Sequence, residues 1–378
     1  MKNFSLSLQR LAYFLITATL VVYILIKGQS ILIPIAFAGL FAFMLQPVSD
    51  FFERLFFTRV PAIFVTFLVA LLPIFFLITF FSFQIVNVLG NISGLLDQLQ
   101  SGVETAVLWV GKNSGLDQEQ IREWLANNFT ALLETPLNFL TSSLTSSTVM
   151  ITSMLICAIY TFFFLLYRTA FKNFMLTQFD QANRTKARSL IHQVQKLSQR
   201  YFYGLLLVMS ILGILNSTGL WLIGIQYPFF WGFLGAVLAV VPYIGTTLGG
   251  TFPFIFSLAT TETWWQPLAV VLMYVIIQSV EGNYITPKVV GGSVKINPLA
   301  AIVALLVGGA IWGVAGMVLA LPIVATLRTI FSYFDILKPI SELMSVNIFE
   351  KAEAFEEKYD EDRYRLISFF QRNRPYRE

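Results

Sequence analysis

Apolar residues fill this chain in blocks long enough to cross a bilayer, separated by short polar punctuation. A hydrocarbon core needs about 20 apolar residues in helical form. Leu11 to Ile26 is uncharged, and Ile31 to Leu45 follows after Lys27-Gly28-Gln29-Ser30, so the pattern predicts a first helical hairpin. Lys2 and Arg10 ahead of the first run imitate a signal peptide, but Lys27-Gly28-Gln29-Ser30 is a poor small-residue cleavage site. Val60 to Leu96 carries no charge, which is more than one span, and predicts a long third helix that leaves the bilayer. Val149 to Tyr167 predicts a fourth span.

Between the third and fourth spans the period changes. Ile92, Leu96, Leu99, Val103, Ala106 and Val110 recur at alternating four- and three-residue spacing with charged and amide residues between them, a seam for packing against another helix. Asp117 and Gln120 resemble a capping box, and Ile121, Trp124, Leu125, Phe129 and Leu132 form the apolar face of a second helix. An extramembrane helical bundle is predicted there. From Tyr201 to Thr261 no residue is charged, enough for two or three crossings, but Pro228, Pro242, Gly245, Gly249, Gly250 and Pro253 punctuate the run. Thr263 to Val280 and Ile296 to Leu327 predict further spans, the latter opened by Asn297 as N-cap and Pro298 as first helical residue.

The pattern therefore predicts an all-α polytopic membrane protein of about eight segments, with broken or re-entrant helices in its carboxy-terminal half. The expected division is 1–86 amino-terminal spans, 87–148 extramembrane amphipathic segment, 149–167 fourth span, 168–200 basic loop, 201–337 transport-pathway half and 338–378 charged tail. Lys288 and Lys295 fall on the outer side of an eight-crossing scheme, which leaves room for one segment to be a re-entrant hairpin.

Composition agrees with the pattern. Of 378 residues, 56% are hydrophobic and only 12% charged, against about 25% charged in an ordinary soluble domain. The mean hydropathy is +0.72. A net charge of +4 taken alone would suit nucleic acid, yet the cations gather in loops between apolar runs, so no nucleic-acid partner is expected. Arg168, Lys172, Arg184, Lys186, Arg188, Lys196 and Arg200 share a segment with one acid, Asp180, which places it in the cytoplasm by the positive-inside rule. Lys2, Arg10, Arg54 and Arg59 put the amino terminus on that side too, and Arg328 and Lys338 do the same for the carboxy-terminal tail. Cys157 and His192 are the only residues of their kinds, so no disulfide framework, zinc site, metal centre or serine-histidine triad is expected. Cys157 reads as a buried thiol and His192 as a solvated loop residue. No nucleophile-base pair or cofactor motif is present, and no G-x-x-x-x-G-K-[ST] run, so the reading is not an enzyme and carries no ATP site of its own.

The candidate chemistry lies in the carboxy-terminal half. Pro242-Tyr243-Ile244-Gly245 and Pro253 remove backbone hydrogen bonds at bilayer depth, which is tolerated where protein or a water-filled cavity satisfies the freed groups. Broken helices of this kind build binding sites in transporters, although a packing kink has the same signature. Gln278, Glu281, Gly282 and Asn283 end an apolar helix that Pro287 closes. Gln278 and Glu281 share a helix face. A carboxylate near the bilayer is costly unless paired, hydrated or protonated, which makes Glu281 a candidate proton or cation carrier, with Lys288 as a possible counter-ion; the alternative is a simple helix cap at headgroup level. Asn216 is a further polar candidate for the interior, or a single interhelical hydrogen bond. Gly308, Gly309, Gly313 and Gly316 crowd the last apolar run, where Gly309 and Gly313 have the G-x-x-x-G spacing of close helix approach.

These residues carry a resemblance. Gly224-Ile225-x-x-Pro228, Pro242-x-x-Gly245, Pro253, Gln278-x-x-Glu281-x-Asn283, Pro287, Pro298-Leu299, Gly308-Gly309, Gly313-x-x-Gly316-Met317 and Leu321-Pro322, in this order and spacing, resemble the autoinducer-2 exporter family of PerM-like permeases. Thr246 stands where members often carry proline. The resemblance covers nearly the whole chain and implies a prokaryotic inner-membrane protein, homo-oligomeric and pentameric, that exports small molecules or exchanges sodium or lithium for protons. The leading expectation is gradient-driven export of a small polar molecule by alternating access. Gln278, Glu281, Asn283 and Asn216 would line the pathway, Glu281 would couple it, and Pro242, Gly245, Pro253, Pro287 and the four glycines would serve as breaks or hinges. Cation/proton antiport is the first alternative, and a non-transporting membrane scaffold the second.

Overall fold

The computed structural model describes residues 2–56, 58–90, 147–241, 244–261, 263–289 and 296–348, with Tyr359 and Tyr364 in the tail. The predicted extramembrane bundle over 87–148 and the charged tail lie largely outside the described residues, as does Pro242. The described chain is helical almost throughout and divides into two compact units, residues 1–63, 156–203 and 290–378, and residues 64–155 and 204–289. Among the described residues, five helices are long and apolar enough to cross a membrane: Gln29–Leu55, Arg59–Gln84, Gln181–Ile223, Trp265–Val289 and Pro298–Phe331. A sixth arises if Ile151–Leu166 and Arg168–Thr177, bent by 66°, count as one. The protein is an all-α polytopic membrane protein, and rows of exposed Leu, Ile and Phe side chains such as Leu15, Ile16, Leu20, Leu68, Phe75 and Phe76 suit contact with lipid.

In the first unit, α1 (Lys2–Lys27) and α2 (Gln29–Phe56) are joined through the single residue Gly28. Next in the chain come α3 (Arg59–Gly90), which belongs to the second unit from Phe64 on, and α4 (Ser147–Leu166), which enters the first unit at Ile156 and turns into the short α5 (Arg168–Thr177). The basic stretch 168–200, expected as a loop, is helical: α5 occupies its start, and the rest opens α6 (Arg184–Ile223), one 40-residue helix. Its Lys, Arg, Gln and Leu residues are strong helix formers, and α6 is tied to α2 along this stretch. Pro47 has no N–H to offer the carbonyl of Phe43, and the Gln199 side chain donates to that carbonyl at 3.0 Å. Gln195 donates to Gln46 Oε1 at 2.9 Å and the Tyr203 hydroxyl to the Met44 carbonyl at 2.7 Å. His192 is exposed on this helix rather than on a loop, and Cys157 is half-buried in α4. At the α4–α5 bend, Arg168 bonds Glu53 and Asp50, the latter at 2.7 Å, while Arg59 reaches Glu53 at 2.9 Å.

The last apolar run is α11 (Pro298–Phe331), and it is not a straight span. As a rod its 34 residues would extend about 50 Å. Instead both of its ends meet one short stretch of chain. The Asn297 amide side chain, whose Oδ1 caps Ala300 N at 2.8 Å, donates to the Leu343 carbonyl at 2.6 Å. Ile296 bridges Ser345, and at the other end Arg328 Nε donates to the Ser341 carbonyl at 3.2 Å while Ser341 Oγ donates to the Arg328 carbonyl at 3.0 Å. The reversal is at Trp312 (φ −129°, ψ 17°) and Gly313 (φ 59°, ψ −139°), a conformation reserved for glycine. The arms 298–311 and 314–331 thus form a helical hairpin, each shorter than a bilayer core. Across it Gly308 and Gly316 face each other: a Cβ on Gly316 would fall 1.9 Å from the Gly308 carbonyl oxygen. The predicted G-x-x-x-G contact at Gly309 and Gly313 is therefore replaced by a Gly308–Gly316 contact within the hairpin, with Gly313 as its turn. The Trp312 indole donates to the Leu25 carbonyl of α1 at 2.8 Å. The helix α12 (Lys338–Leu343) carries the residues that close the hairpin's base.

The second unit holds most of α3, the start of α4 and the end of α6, together with α7 (Pro228–Leu238), α8 (Ile244–Thr260) and α9 (Trp265–Val280). Gly224, at φ 84°, ends α6: Gly224 N donates to the Trp221 carbonyl and Ile225 N to the Leu220 carbonyl, both at 3.0 Å, the paired bonds of a Schellman cap. Ile225 is buried, and Pro228 opens α7 at its first turn. α7, about 16 Å long, is half a bilayer deep. It pairs antiparallel with α8: Trp231 lies 5.1 Å from Phe256 between ring centroids, Tyr227 lies 6.1 Å from Phe256, and Gly235 meets Gly249. Leu220, Phe230, Trp231, Phe252, Phe256 and Val270 form the core beneath.

Candidate functional site

Glycine packing brings the α6, α7 and α8 backbones close enough to enclose a small polar cleft in the second unit. A Cβ on Gly232 would fall 2.3 Å from Ser217 Oγ, one on Gly249 2.8 Å from Gly235 Cα, and one on Gly245 1.6 Å from the Leu238 carbonyl oxygen. Only glycine permits these approaches. The resulting cleft is lined by residues that include Asn216, Gly235, Thr246, Gly249, Tyr274 and Gln278, and its 10 Å³ of free space is about one water molecule. Asn216 is 4% exposed. Its Oδ1, Ser217 Oγ, the Tyr274 hydroxyl and Trp231 Nε1 are buried without a hydrogen-bond partner among the described residues. A buried polar group left without a partner costs roughly 1–3 kcal/mol, and of these four Asn216 and Tyr274 line the cleft, which gives it unmet hydrogen-bonding capacity. Pro253 adds to it, because it has no N–H to give the Gly249 carbonyl at the cleft wall.

Glu281 is connected to this cleft through Gln278. Gln278 Nε2 donates to Glu281 Oε2 at 2.8 Å, and the Thr286 hydroxyl donates to Glu281 Oε1. The carboxylate is half-buried, and among the described residues Lys288 makes no ion pair with it, so the expected counter-ion is replaced by two neutral donors. The turn that carries it, Glu281–Ile285, is a π-helix. Pro287 explains the widening: its ring crowds the carbonyl four residues back and offers it no donor. The helix then resumes as α10 (Thr286–Val289), so Pro287 loosens the segment rather than closing it. π-turns of this kind recur at functional sites.

The sequence-predicted residues fall into four groups. Asn216 and Gln278 line the cleft and Glu281 is bonded to Gln278, so these three form one connected set. Asn283 is exposed on the far side of its turn, its Nδ2 bonded to the Ser279 carbonyl at 2.9 Å, and does not join them. Gly245 and Pro253 shape α8 around the cleft, whereas Gly308, Gly309, Gly313 and Gly316 belong to the α11 hairpin of the first unit. Sequence reasoning missed Gly235, Tyr274 and Gly249 as wall residues, and Ser217 and Trp231 as buried polar groups outside the lining. Two signals were available: Ser217 adjoins Asn216 in an apolar helix, and Tyr274 stands one turn before Gln278.

A family model described as AI-2E family transporter matches residues 12–335. YrrI of Bacillus subtilis (strain 168), provisionally named a transport protein, is 32% identical over 151 residues, 40% of this chain and 42% of YrrI. YueF of the same organism, named in the same way, is 24% identical over 319 residues, 80% of this chain and 84% of YueF. The Escherichia coli (strain K12) protein TqsA, named an AI-2 transport protein, is 28% identical over 99 residues, 26% of this chain and 28% of TqsA. The match thus spans under half of YrrI and most of YueF.

Proposed function

This chain belongs to the AI-2E transporter family, and on that premise we propose that it exports a small polar molecule, of the kind the name of TqsA gives for that protein, by gradient-driven alternating access. The observation that carries the reading is the cleft into whose lining Asn216 and Tyr274 bring buried polar atoms without partners among the described residues. Such atoms hydrogen-bond a hydroxyl-rich guest well and reject an apolar one. The cleft as it stands holds about one water, so the guest enters after the α7–α8 hairpin moves against α6 and α9. The proline and glycine breaks of α8 and the π-turn before Pro287 are the places for that movement. Glu281, linked to the cleft through Gln278, is the coupling group. The protein works as a homo-oligomer, a pentamer, in a prokaryotic inner membrane with both termini in the cytoplasm.

One observation favours a second reading, exchange of sodium or lithium for protons: one-water room and a carboxylate bonded only to neutral donors suit a bare cation as well as a metabolite. Reconstitution in liposomes holding a pH dye separates the two. Under an imposed proton gradient, transport of autoinducer-2 without a response to sodium or lithium supports export. Collapse of the gradient by sodium or lithium alone overturns it in favour of antiport.

A further inference from the structure

The first unit holds a second concavity, larger than the polar cleft and of different character. It has a volume of about 560 Å³ and lies among α2, the α4–α5 bend and the first half of α6. That is the size of a small-molecule site. Phe43, Phe164, Leu165 and Leu176 give it apolar walls, and three cations, Arg168, Lys172 and Arg188, stand at it. Arg168 is already neutralised by Asp50 and Glu53. Lys172 and Arg188 are exposed and make no ion pair among the described residues. The cavity therefore offers two uncompensated positive charges beside an apolar trough.

Its place in the fold fits that chemistry. α5 bends 66° from α4, so with α4 crossing the bilayer α5 leans toward the membrane plane. It exposes Phe171, Phe174 and Met175 beside Lys172 and Asn173, the mixed surface of a helix at the lipid-water boundary. A phosphate ion would use the two cations but leave the apolar walls empty. A lipid uses both, and basic pockets between membrane helices are suited to acidic head groups. We propose that this cavity binds an anionic phospholipid, with the phosphate between Lys172 and Arg188 and an acyl chain along Phe43, Phe164 and Leu176.

The test uses the purified full chain in detergent, with phosphatidylglycerol, phosphatidylcholine and inorganic phosphate as probes. Native mass spectrometry reads retained lipid, and the melting temperature reads stabilisation. Phosphatidylglycerol is expected to be retained and to raise the melting temperature, while the other two probes do neither at equal concentration. Lys172→Gln and Arg188→Gln should each weaken retention about fivefold, and together on the order of thirtyfold. Lys186→Gln with Lys196→Gln, which removes the same charge from exposed positions of α6 away from the cavity, should leave retention unchanged. Each variant is read against its own lipid-free melting temperature, and the single replacements at exposed side chains stand alone if the double variant does not fold. Equal retention by the single variants and wild type overturns the proposal, as does retention of phosphatidylcholine at the same level. A melting shift produced by inorganic phosphate alone makes the site one for a free anion and overturns it too.

Discussion

Gly316 and Gly308 face each other across the α11 hairpin so closely that a Cβ on Gly316 would lie 1.9 Å from the Gly308 carbonyl oxygen. The obstacle is backbone, so no side-chain rotation relieves it. Gly316→Ala should therefore lower stability by about 1–3 kcal/mol or more, the cost of forced overpacking. Gly39→Ala, in α2 with open space around the new methyl, should be neutral or slightly stabilising by the helix propensity of alanine. Melting curves of the purified variants in one detergent check the contrast. Equal curves would mean that the two arms do not pack as described.

This hairpin also marks the limit of what the sequence revealed. The apolar blocks showed the membrane class and the site of the last run, and Asn297-Pro298 correctly opened α11. They could not show that α11 folds back, because hydropathy has no direction: two apolar arms and one long apolar rod read alike. Gly313 was visible only as one of several small residues, and its positive φ is a property of the backbone rather than of composition. The basic stretch shows a related limit, since charge predicts solvent contact and not the loss of helix, and α5 and the start of α6 occupy most of it. At the site, Asn216, Gln278 and Glu281 stood out as polar residues in apolar surroundings. Tyr274 did not, because tyrosine is ordinary at membrane boundaries and only the packing of Gly235 and Gly249 reveals that its hydroxyl is stranded.

Gly235 and Gly245 line the same hairpin but should answer differently to alanine. At Gly235 the new methyl would meet the Tyr274 hydroxyl at 3.3 Å, the Gly249 carbonyl at 3.4 Å and the Asn216 amide at 3.5 Å, contacts that small adjustments accommodate. It would also occupy the cleft. Gly235→Ala should then keep the melting temperature within a few degrees while reducing transport about tenfold or more, a loss of about 1.4 kcal/mol or more in binding. Gly245→Ala, aimed at the Leu238 carbonyl from 1.6 Å, should destabilise the protein itself. Flux into liposomes, normalised to folded protein, distinguishes the blocked cleft from the broken fold.

Tyr274→Phe removes a hydroxyl that bonds to nothing among the described residues. If the group were structural, its loss would cost roughly 1 kcal/mol of stability. Because it is stranded, the variant should melt at the same temperature as wild type or higher. Transport should fall about tenfold through the lost hydrogen bond to the guest. A stable variant with full transport would remove Tyr274 from the pathway, and a variant that melts lower would show that the hydroxyl has a structural partner.

Glu281→Gln keeps the size of the side chain and removes its charge. In wild type the carboxylate accepts from both Gln278 and Thr286. The amide oxygen of glutamine can still accept one of those bonds, while its NH₂ group places donors opposite the other. Folding should survive this half-satisfied arrangement, since Glu281 is only half-buried and water reaches it. The proton dependence of transport should disappear, because the variant has no group at this position to take up and release a proton. Transport assayed at several pH values on either side of the membrane should give one flat rate for the variant and a sloping one for wild type. A slope that persists in a well-folded variant would move the coupling role away from Glu281. Gln278→Leu then becomes informative, because it cuts the only described side-chain bond between Glu281 and the cleft while leaving the carboxylate ionisable. That variant should retain proton binding yet lose its effect on flux.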